Sequence, residues 1–436
     1  MAEFKKHAAI PAFVAAIALL IAIAVQTYGM RDNGTFALKD LTGSRDAIGD
    51  VAIGGELLDG YHRTNFRLQA GTVTTHTAIF EQPRSADMYT YNPGMAKRID
   101  DMQFNVSGIG TYEITSYKLT NPDAYFIPVG SAEVTPAISN GKTNSATFAN
   151  QPEYGVAKVG DKVYFTVPVS AEFTGKSGIY ELRFHQWGLP PAVDRKQYAA
   201  RKVAEINLDA NASPEQPHIE VLGLEAVGAK LILLSVEGPT LKISSYDSDS
   251  GKLLGEASVP DFYLPGRPGE KPAGTNGYVE NYEAYADPAQ DMLNVSFRGS
   301  EGRRLILSFD VSRGVQVVNT VQADLAEGAN LGYGDTNYMS YRNGKLYVLR
   351  NIHEARTSDA SPMYDLALPQ HFYIYVYAQS KLVYRGELLT DRNEDNMEMI
   401  YGQASRGGFS YDSMDYRRFA NLSVASIPAA GGTEHD

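Results

Sequence analysis

The feature that most constrains this chain is a recurring turn-and-strand signature. Val159-Gly160-Asp161-Lys162-Val163-Tyr164-Phe165 returns as Val227-Gly228-Ala229-Lys230-Leu231-Ile232-Leu233, and again as Arg342-Asn343-Gly344-Lys345-Leu346-Tyr347-Val348. Between the last two, Pro288-Ala289-Gln290-Asp291-Met292-Leu293-Asn294-Val295 supplies a turn followed by the same kind of strand. Aligning Lys162, Lys230, Met292 and Lys345 gives spacings of 68, 62 and 53 residues. Each unit also carries a second signature, a strand that ends in a turn and an outgoing strand: Ser245–Leu254, Ser308–Gly314 and Val376–Val383. A repeat of this kind predicts a small antiparallel sheet that hides its faces only against neighbouring copies.

The rest of the chain agrees with strands. Runs rich in Val, Ile, Tyr, Phe and Thr alternate with Gly, Asn and Asp clusters, as in Met292–Arg298, Arg304–Val311 and His371–Ala378. In the last run Tyr373, Tyr375 and Tyr377 fall on one face and Phe372, Ile374 and Val376 on the other, which predicts a strand packed on both sides. Helical periodicity is scarce after the N-terminus. Its best candidate is Ala192–Asn207, a short helix at most because Pro190-Pro191 precedes it.

These repeats resemble those of β-propeller proteins, with the family unassigned. The resemblance implies an all-β fold, a β-propeller-like array of antiparallel four-stranded sheets following an N-terminal transmembrane helix. At about 60 residues per unit, residues 36–425 allow six or seven blades. Residues 30–150 fit the repeat less well and are read either as first blades with longer loops or as a separate β-sandwich. The repeated Trp-Asp pair of WD blades is absent. The single Trp187 also departs from the tryptophan-docking repeats of quinoprotein blades, which disfavours a quinone-dependent dehydrogenase.

The N-terminus reads Lys5-Lys6-His7, then an apolar run from Ala8 to Val25 broken only by Pro11. Such a run spans about 27 Å, enough for a bilayer core. The lysines favour a cytoplasmic N-terminus with the bulk of the chain outside, in the cell membrane as a single-pass protein. The alternative is a cleaved signal peptide, since Ala22-Ile23-Ala24 supplies a small-x-small site, but that site lies inside the apolar run. Residues 1–29 are therefore expected as anchor or signal segment, 30–425 as the extracytoplasmic domain and 426–436 as a disordered tail. With no cysteine in 436 residues, disulfides, thiolate catalysis, Cys-ligated metals and a lipidated cysteine are all excluded. The composition suits an exported bacterial protein of a cell envelope.

Charge excludes another class. The chain has 39 basic and 51 acidic residues, net −12, and no cation cluster of the kind that binds phosphate backbones, so nucleic acid is not an expected partner. Without residues 1–29 the balance is 37 against 50, or −13, and the domain as a whole is expected to be repelled by an anionic surface.

His62, His76, His185, His218, His353 and His371 fall in no metal-binding spacing, so no metal or other cofactor is expected. Asp247-Ser248-Asp249-Ser250-Gly251 opens like a calcium loop but has Ser258 at its twelfth position, which favours a hairpin turn. The cluster His185-Gln186-Trp187-Gly188 offers an indole that stacks on a ligand or plugs the core. Tyr278, Tyr282 and Tyr285, with Tyr333, Tyr338 and Tyr341, are the expected ligand-binding rings of a tyrosine-lined face. Phosphate-cradling and nucleophile-elbow motifs are absent.

The leading expectation is a non-enzymatic, membrane-anchored binding or sensor module for a protein partner or envelope polymer, with no catalytic residues. The alternative is a carbohydrate-active enzyme whose carboxylates come from the acidic clusters Glu280, Glu283, Asp287, Asp291 and Asp391, Glu394, Asp395, Glu398.

Overall fold

The structure is a computed structural model, and it describes residues 9–29, 36–58, 62–79, 97–120, 125–140, 151–186, 198–209, 219–264, 277–299, 302–325, 337–353, 370–390 and 418–427. The apolar run forms helix α1 (Ala9–Gly29), and everything that follows is β-structure with short 3-10 turns. Phe13, Leu19, Leu20, Ile21 and Val25 are all exposed on α1. Side chains of α1 are described at Pro11 and over 13–29. Among the described residues no helix is long and apolar enough to cross a membrane, so the expected crossing is not carried by the described structure.

In chain order the strands are β1 (Ala37–Gly43), β2 (Val51–Leu58), β3 (His62–Gln69), β4 (Thr72–Ile79), β5 (Lys97–Ile99), β6 (Met102–Ser107), β7 (Tyr112–Thr120), β8 (Tyr125–Val134) and β9 (Ala137–Asn140). Then come β10 (Val156–Val159), β11 (Lys162–Phe165), β12 (Phe173–Glu181), β13 (His185–Gln186), β14 (Arg201–Asn207), β15 (Glu220–Val227), β16 (Lys230–Glu237), β17 (Thr240–Asp247) and β18 (Leu253–Pro260). The last are β19 (Tyr278–Asp287), β20 (Met292–Gly299), β21 (Arg304–Asp310), β22 (Gln316–Ala323), β23 (Asn337–Arg342), β24 (Lys345–His353), β25 (Gln370–Ala378), β26 (Lys381–Leu389) and β27 (Arg418–Ser426).

They form six antiparallel sheets of four or five strands. The first is β27-β2-β3-β4, the second β5-β6-β7-β8-β13, and the third β10-β11-β12-β14 with β9 on β12. The fourth is β15 to β18 and the fifth β19 to β22, each in simple sequence order, and the sixth is β23-β24-β25-β26-β1. Both chain ends thus cross to the far end of the array: β1 completes the last sheet and β27 completes the first. Sheet packs on sheet along one edge, with β5 on β10, β10 on β15, β15 on β19, β19 on β23 and β23 on β27. Those edge strands therefore gather around a common axis, which is the arrangement of a six-sheet β-propeller.

The core lies between successive sheets. Leu222, Ile232, Leu234, Leu293, Val295, Leu307 and Phe309 are fully buried in one cluster shared by the fourth and fifth sheets. Central strands such as β16 and β20 are buried nearly end to end, whereas the outer β18 alternates exposed and half-buried residues, because only its inner face has a neighbour.

The repeated lysine of the sequence signature has a structural role. Lys162 bonds Asp249, Lys230 bonds Asp291 and Lys345 bonds Asp50, each reaching from one sheet to the next at 2.7, 2.7 and 3.1 Å. One expectation is corrected: within Ala192–Asn207, residues 201–207 are strand β14, paired with β12 from Arg201 to Asn207. An open edge on the third sheet outweighs the weak helical spacing. β1 is followed at once by the 3-10 turn Arg45–Ile48, capped by Ser44.

Candidate functional site

The inner strands bring together groups that the sequence keeps far apart. Lys97, first residue of β5, belongs to the second sheet, and its Nζ donates to Leu224 O and to Glu225 Oε1 of the fourth sheet, both at 3.1 Å. These sheets are not neighbours: β10 of the third lies between them, in contact with both β5 and β15. The lysine therefore reaches across the inner edge of an entire sheet, and the contact sits toward the axis. Its side chain is 7% exposed and that of Glu225 14%. Tyr282 of β19 adds a third sheet by donating its hydroxyl to the same Glu225 Oε1 at 2.9 Å.

Local backbone features make this meeting possible. A β-bulge in β15 between Val221 and Gly223 shifts the side-chain alternation ahead of Glu225. Gly223 is required by close approach, since a Cβ there would lie 2.2 Å from the Tyr282 hydroxyl and 2.8 Å from Tyr154 O. The Tyr282 ring, 1% exposed, meets Tyr154 edge to face at 5.0 Å. Tyr154 belongs to the 3-10 turn Pro152–Gly155, which Pro152 opens because its missing N–H is not needed there.

The same turn holds a second carboxyl. Glu153 Oε1 accepts from Val106 N at 3.2 Å, and burial raises its carboxyl above the usual range, with the backbone hydrogen bonds opposing. Glu225 is thus a carboxylate held between a cation and a hydroxyl, while Glu153, next to Tyr154 in the turn, is a carboxyl that burial biases toward its protonated form. A lysine ammonium has three hydrogens. Among the described residues Lys97 uses two of them and Glu225 uses only Oε1, so a donor and an acceptor stand side by side.

The residues expected from sequence are dispersed by comparison. Tyr278 is 5% exposed, stacks on Phe262 at 4.9 Å and accepts from Gln322 Nε2 at 2.7 Å. Tyr285 packs edge to face on Tyr338 at 5.8 Å and is so buried that its hydroxyl is pushed well above the ordinary range. These rings pack between sheets and do not form an open face; Tyr282 alone among them reaches the axial cluster. His185 pairs through β13 with β8 and lies 5.6 Å from the Tyr198 ring. Trp187 and Tyr333 lie outside the described residues, as do Asp391, Glu394, Asp395 and Glu398.

Three acids of the other cluster are engaged structurally. Glu283 pairs with Arg304 at 3.1 Å, Asp287 pairs with Arg342, and Asp291 pairs with Lys230. They stabilise sheet contacts, and the loop-carboxylate expectation is corrected for them. Nothing local marks Lys97, whose partner is 128 residues away in sequence. Among the described residues no group of acidic or histidine side chains is placed to hold a metal ion.

No family model matches the chain, and no curated protein matches it. Similar solved structures exist. A protein from Lactobacillus plantarum is 11% identical at a TM-score of 0.33, covering 77% of this chain and 99% of its own. The periplasmic gluconolactonase of Pseudomonas aeruginosa is 10% identical at a TM-score of 0.33, covering 86% and 100%. A WD40 domain from fission yeast is 9% identical at a TM-score of 0.30, covering 76% and 73%. One of these is an enzyme by name, and the expectation of a non-enzymatic binding or sensor module finds no support among them. Likeness at this level assigns no activity or substrate.

Proposed function

We propose that the chain is a carbohydrate-active enzyme that works at the axis of its six sheets. The observation that carries this reading is the meeting of Lys97 with Glu225 across an intervening sheet, with Tyr282 on the same carboxylate and a raised carboxyl at Glu153. Burying a lysine and a glutamate costs several kcal/mol per ion and is a poor route to stability alone. The pair suits hydrolysis of a sugar-derived ester or lactone. Glu225 takes a proton from the attacking water, the Lys97 ammonium faces the negative charge that develops on the substrate oxygen, and Glu153 supplies a proton to the departing oxygen. A sugar also presents adjacent hydroxyls to the free donor and acceptor of Lys97 and Glu225.

The test is hydrolysis by the purified full chain of glucono-1,5-lactone, the substrate class named by one similar structure, and of a panel of aryl glycosides. Turnover that falls at least about a hundredfold in Glu225→Gln supports the reading. Absence of turnover on every sugar lactone and glycoside by the unaltered chain overturns it.

Helix α1 is proposed as the membrane segment that keeps this domain outside the cytoplasm. Its exposed Phe13, Leu19, Leu20 and Ile21, and the lysines that precede it, support this. Release of the chain from membranes by alkaline carbonate would argue against it.

A further inference from the structure

The fifth sheet departs from its neighbours along one buried row that the axial site does not use. In the sixth sheet Tyr347, Val376 and Tyr384 lie directly opposite one another on β24, β25 and β26. Both tyrosines are fully buried, and their hydroxyls end on Asp50 and Asp40 at 3.0 and 2.7 Å. In the fourth sheet the equivalent row is Ile232, Ser245 and Gly255. In the fifth it is Asn294, Ser308 and Asn319, three short polar side chains. The rows are equivalent because Ile232, Asn294 and Tyr347 each stand two residues after the repeated position held by Lys230, Met292 and Lys345.

Asn294 and Ser308 are both 0% exposed, and Asn319 is half-buried. Asn294 Oδ1, Ser308 Oγ and Asn319 Nδ2 are shut off from solvent and have no hydrogen-bond partner among the described residues. Directly opposite residues carry their Cβ atoms about 4.5–5.5 Å apart on one face of a sheet, so the three polar ends are neighbours. Ser308 nevertheless bonds neither asparagine. Asn294 Nδ2 reaches instead to Met339 O of the sixth sheet at 3.5 Å. Ile306 and Val321, next along the same face, are buried against Leu346, Tyr375 and Tyr377 of the sixth sheet, so the row is flanked by apolar groups. Buried polar groups left unpaired in such surroundings are costly, and three in one row call for a common partner.

We infer that this row is a built site for ordered water between the fifth and sixth sheets. Its donors and acceptors define the occupant. Asn294 Oδ1 accepts, Asn319 Nδ2 donates and the Ser308 hydroxyl does either, which matches a small neutral molecule that both gives and takes hydrogen bonds. A buried water needs about two to four polar partners, and the row supplies three. Each asparagine is a smaller side chain than the tyrosine at the equivalent position of the sixth sheet, and the water takes up that difference in volume. A cation fits poorly, because the row presents an amide donor and no carboxylate. Met292 also stands where three other sheets carry Lys162, Lys230 and Lys345, so no charge from that position faces the row. Ser245 of the fourth sheet is the contrasting case. Its hydroxyl is equally buried and unpartnered, but Ile232 and Gly255 opposite it offer no polar side chain to share a water.

The test pairs two serine variants of the full chain with a crystal structure of the unaltered one. Ser308→Ala removes one partner of the water and leaves the asparagine groups short of theirs, so the ratio of folded to unfolded chain in urea titrations is expected to fall about five- to tenfold. Ser245→Ala deletes a hydroxyl that bonds nothing, and the same ratio should hold or rise. The crystal structure should show solvent about 2.7–3.2 Å from Asn294 Oδ1, Ser308 Oγ and Asn319 Nδ2. Stability of Ser308→Ala equal to or above that of Ser245→Ala overturns the proposal. So does a crystal structure in which Ser308 bonds an asparagine directly, or in which a metal ion occupies the row with the Asn319 amide turned to present its oxygen. The crystallographic result stands whether or not Ser308→Ala folds, and neither measurement depends on turnover at the axis.

Discussion

Lys345 Nζ lies 3.1 Å from Asp50 Oδ1, joining the sixth sheet to the first across 295 residues of sequence. The same carboxylate accepts from the Tyr347 hydroxyl at 3.0 Å and from Asn343 Nδ2 at 3.1 Å. Beside β1 and β27, this cluster is what closes the array, and it repeats the lysine–aspartate bridges between the third and fourth and the fourth and fifth sheets.

Removing Asp50 should therefore be costly. Asp50→Ala strands the hydroxyl of Tyr347, a residue with 0% exposure, and is expected to destabilise by about 2–4 kcal/mol. Lys345→Ala loses a partly exposed ion pair and should lose about 1 kcal/mol or less. Midpoints of urea denaturation separate the two.

Acid should reveal the same contact. Burial raises the Asp50 carboxyl, but the hydrogen bonds from Lys345, Asn343 and Tyr347 outweigh it and leave it below the ordinary value. A carboxylate lowered in the folded state contributes stability above the unfolded value of about 3.9 and loses it as pH falls through the folded one. Below about pH 4 the difference in melting temperature between the unaltered chain and Asp50→Asn is thus expected to shrink.

Glu153 has the opposite sign. Its carboxyl is raised by burial, so its folded form is favoured most below the unfolded value and this contribution is lost as pH rises through the folded one. Glu153→Gln, which keeps the acceptor for Val106 N, should be more stable than the unaltered chain at neutral pH and lose the proposed turnover. Thermal melts from pH 4 to 8, paired with sugar-lactone assays, check both halves.

Gly223→Ala tests the positioning of Tyr282. The added Cβ would meet the tyrosine hydroxyl at 2.2 Å, and moving the ring breaks its 2.9 Å bond to Glu225. Turnover is expected to drop by about tenfold or more while the sheets persist by circular dichroism. Unchanged turnover would show that Tyr282 does not hold Glu225 in place.

Gly255→Ala tests sheet packing alone. Its Cβ would press on Gly314 Cα at 2.7 Å and Val315 N at 2.9 Å, both backbone atoms that cannot rotate away. A loss of about 1–3 kcal/mol is expected, read from the same urea transitions.

The repeating unit is legible in the linear order of residues. Lysine-turn-strand signatures at Lys162, Lys230 and Lys345 and the alternation of Phe372 to Tyr377 depend on local turn chemistry and a period of two, which any linear reading detects. Tertiary structure decided the rest, because it depends on which sheet lies beside which. It settled that Tyr278 packs inside on Phe262, that 201–207 extends a sheet, and that chain ends close the array through β1 and β27. It also made Lys97 and Glu225 neighbours. A side chain of one sheet meets another only after the intervening sheet has turned the chain about the axis, and no spacing in sequence encodes that rotation.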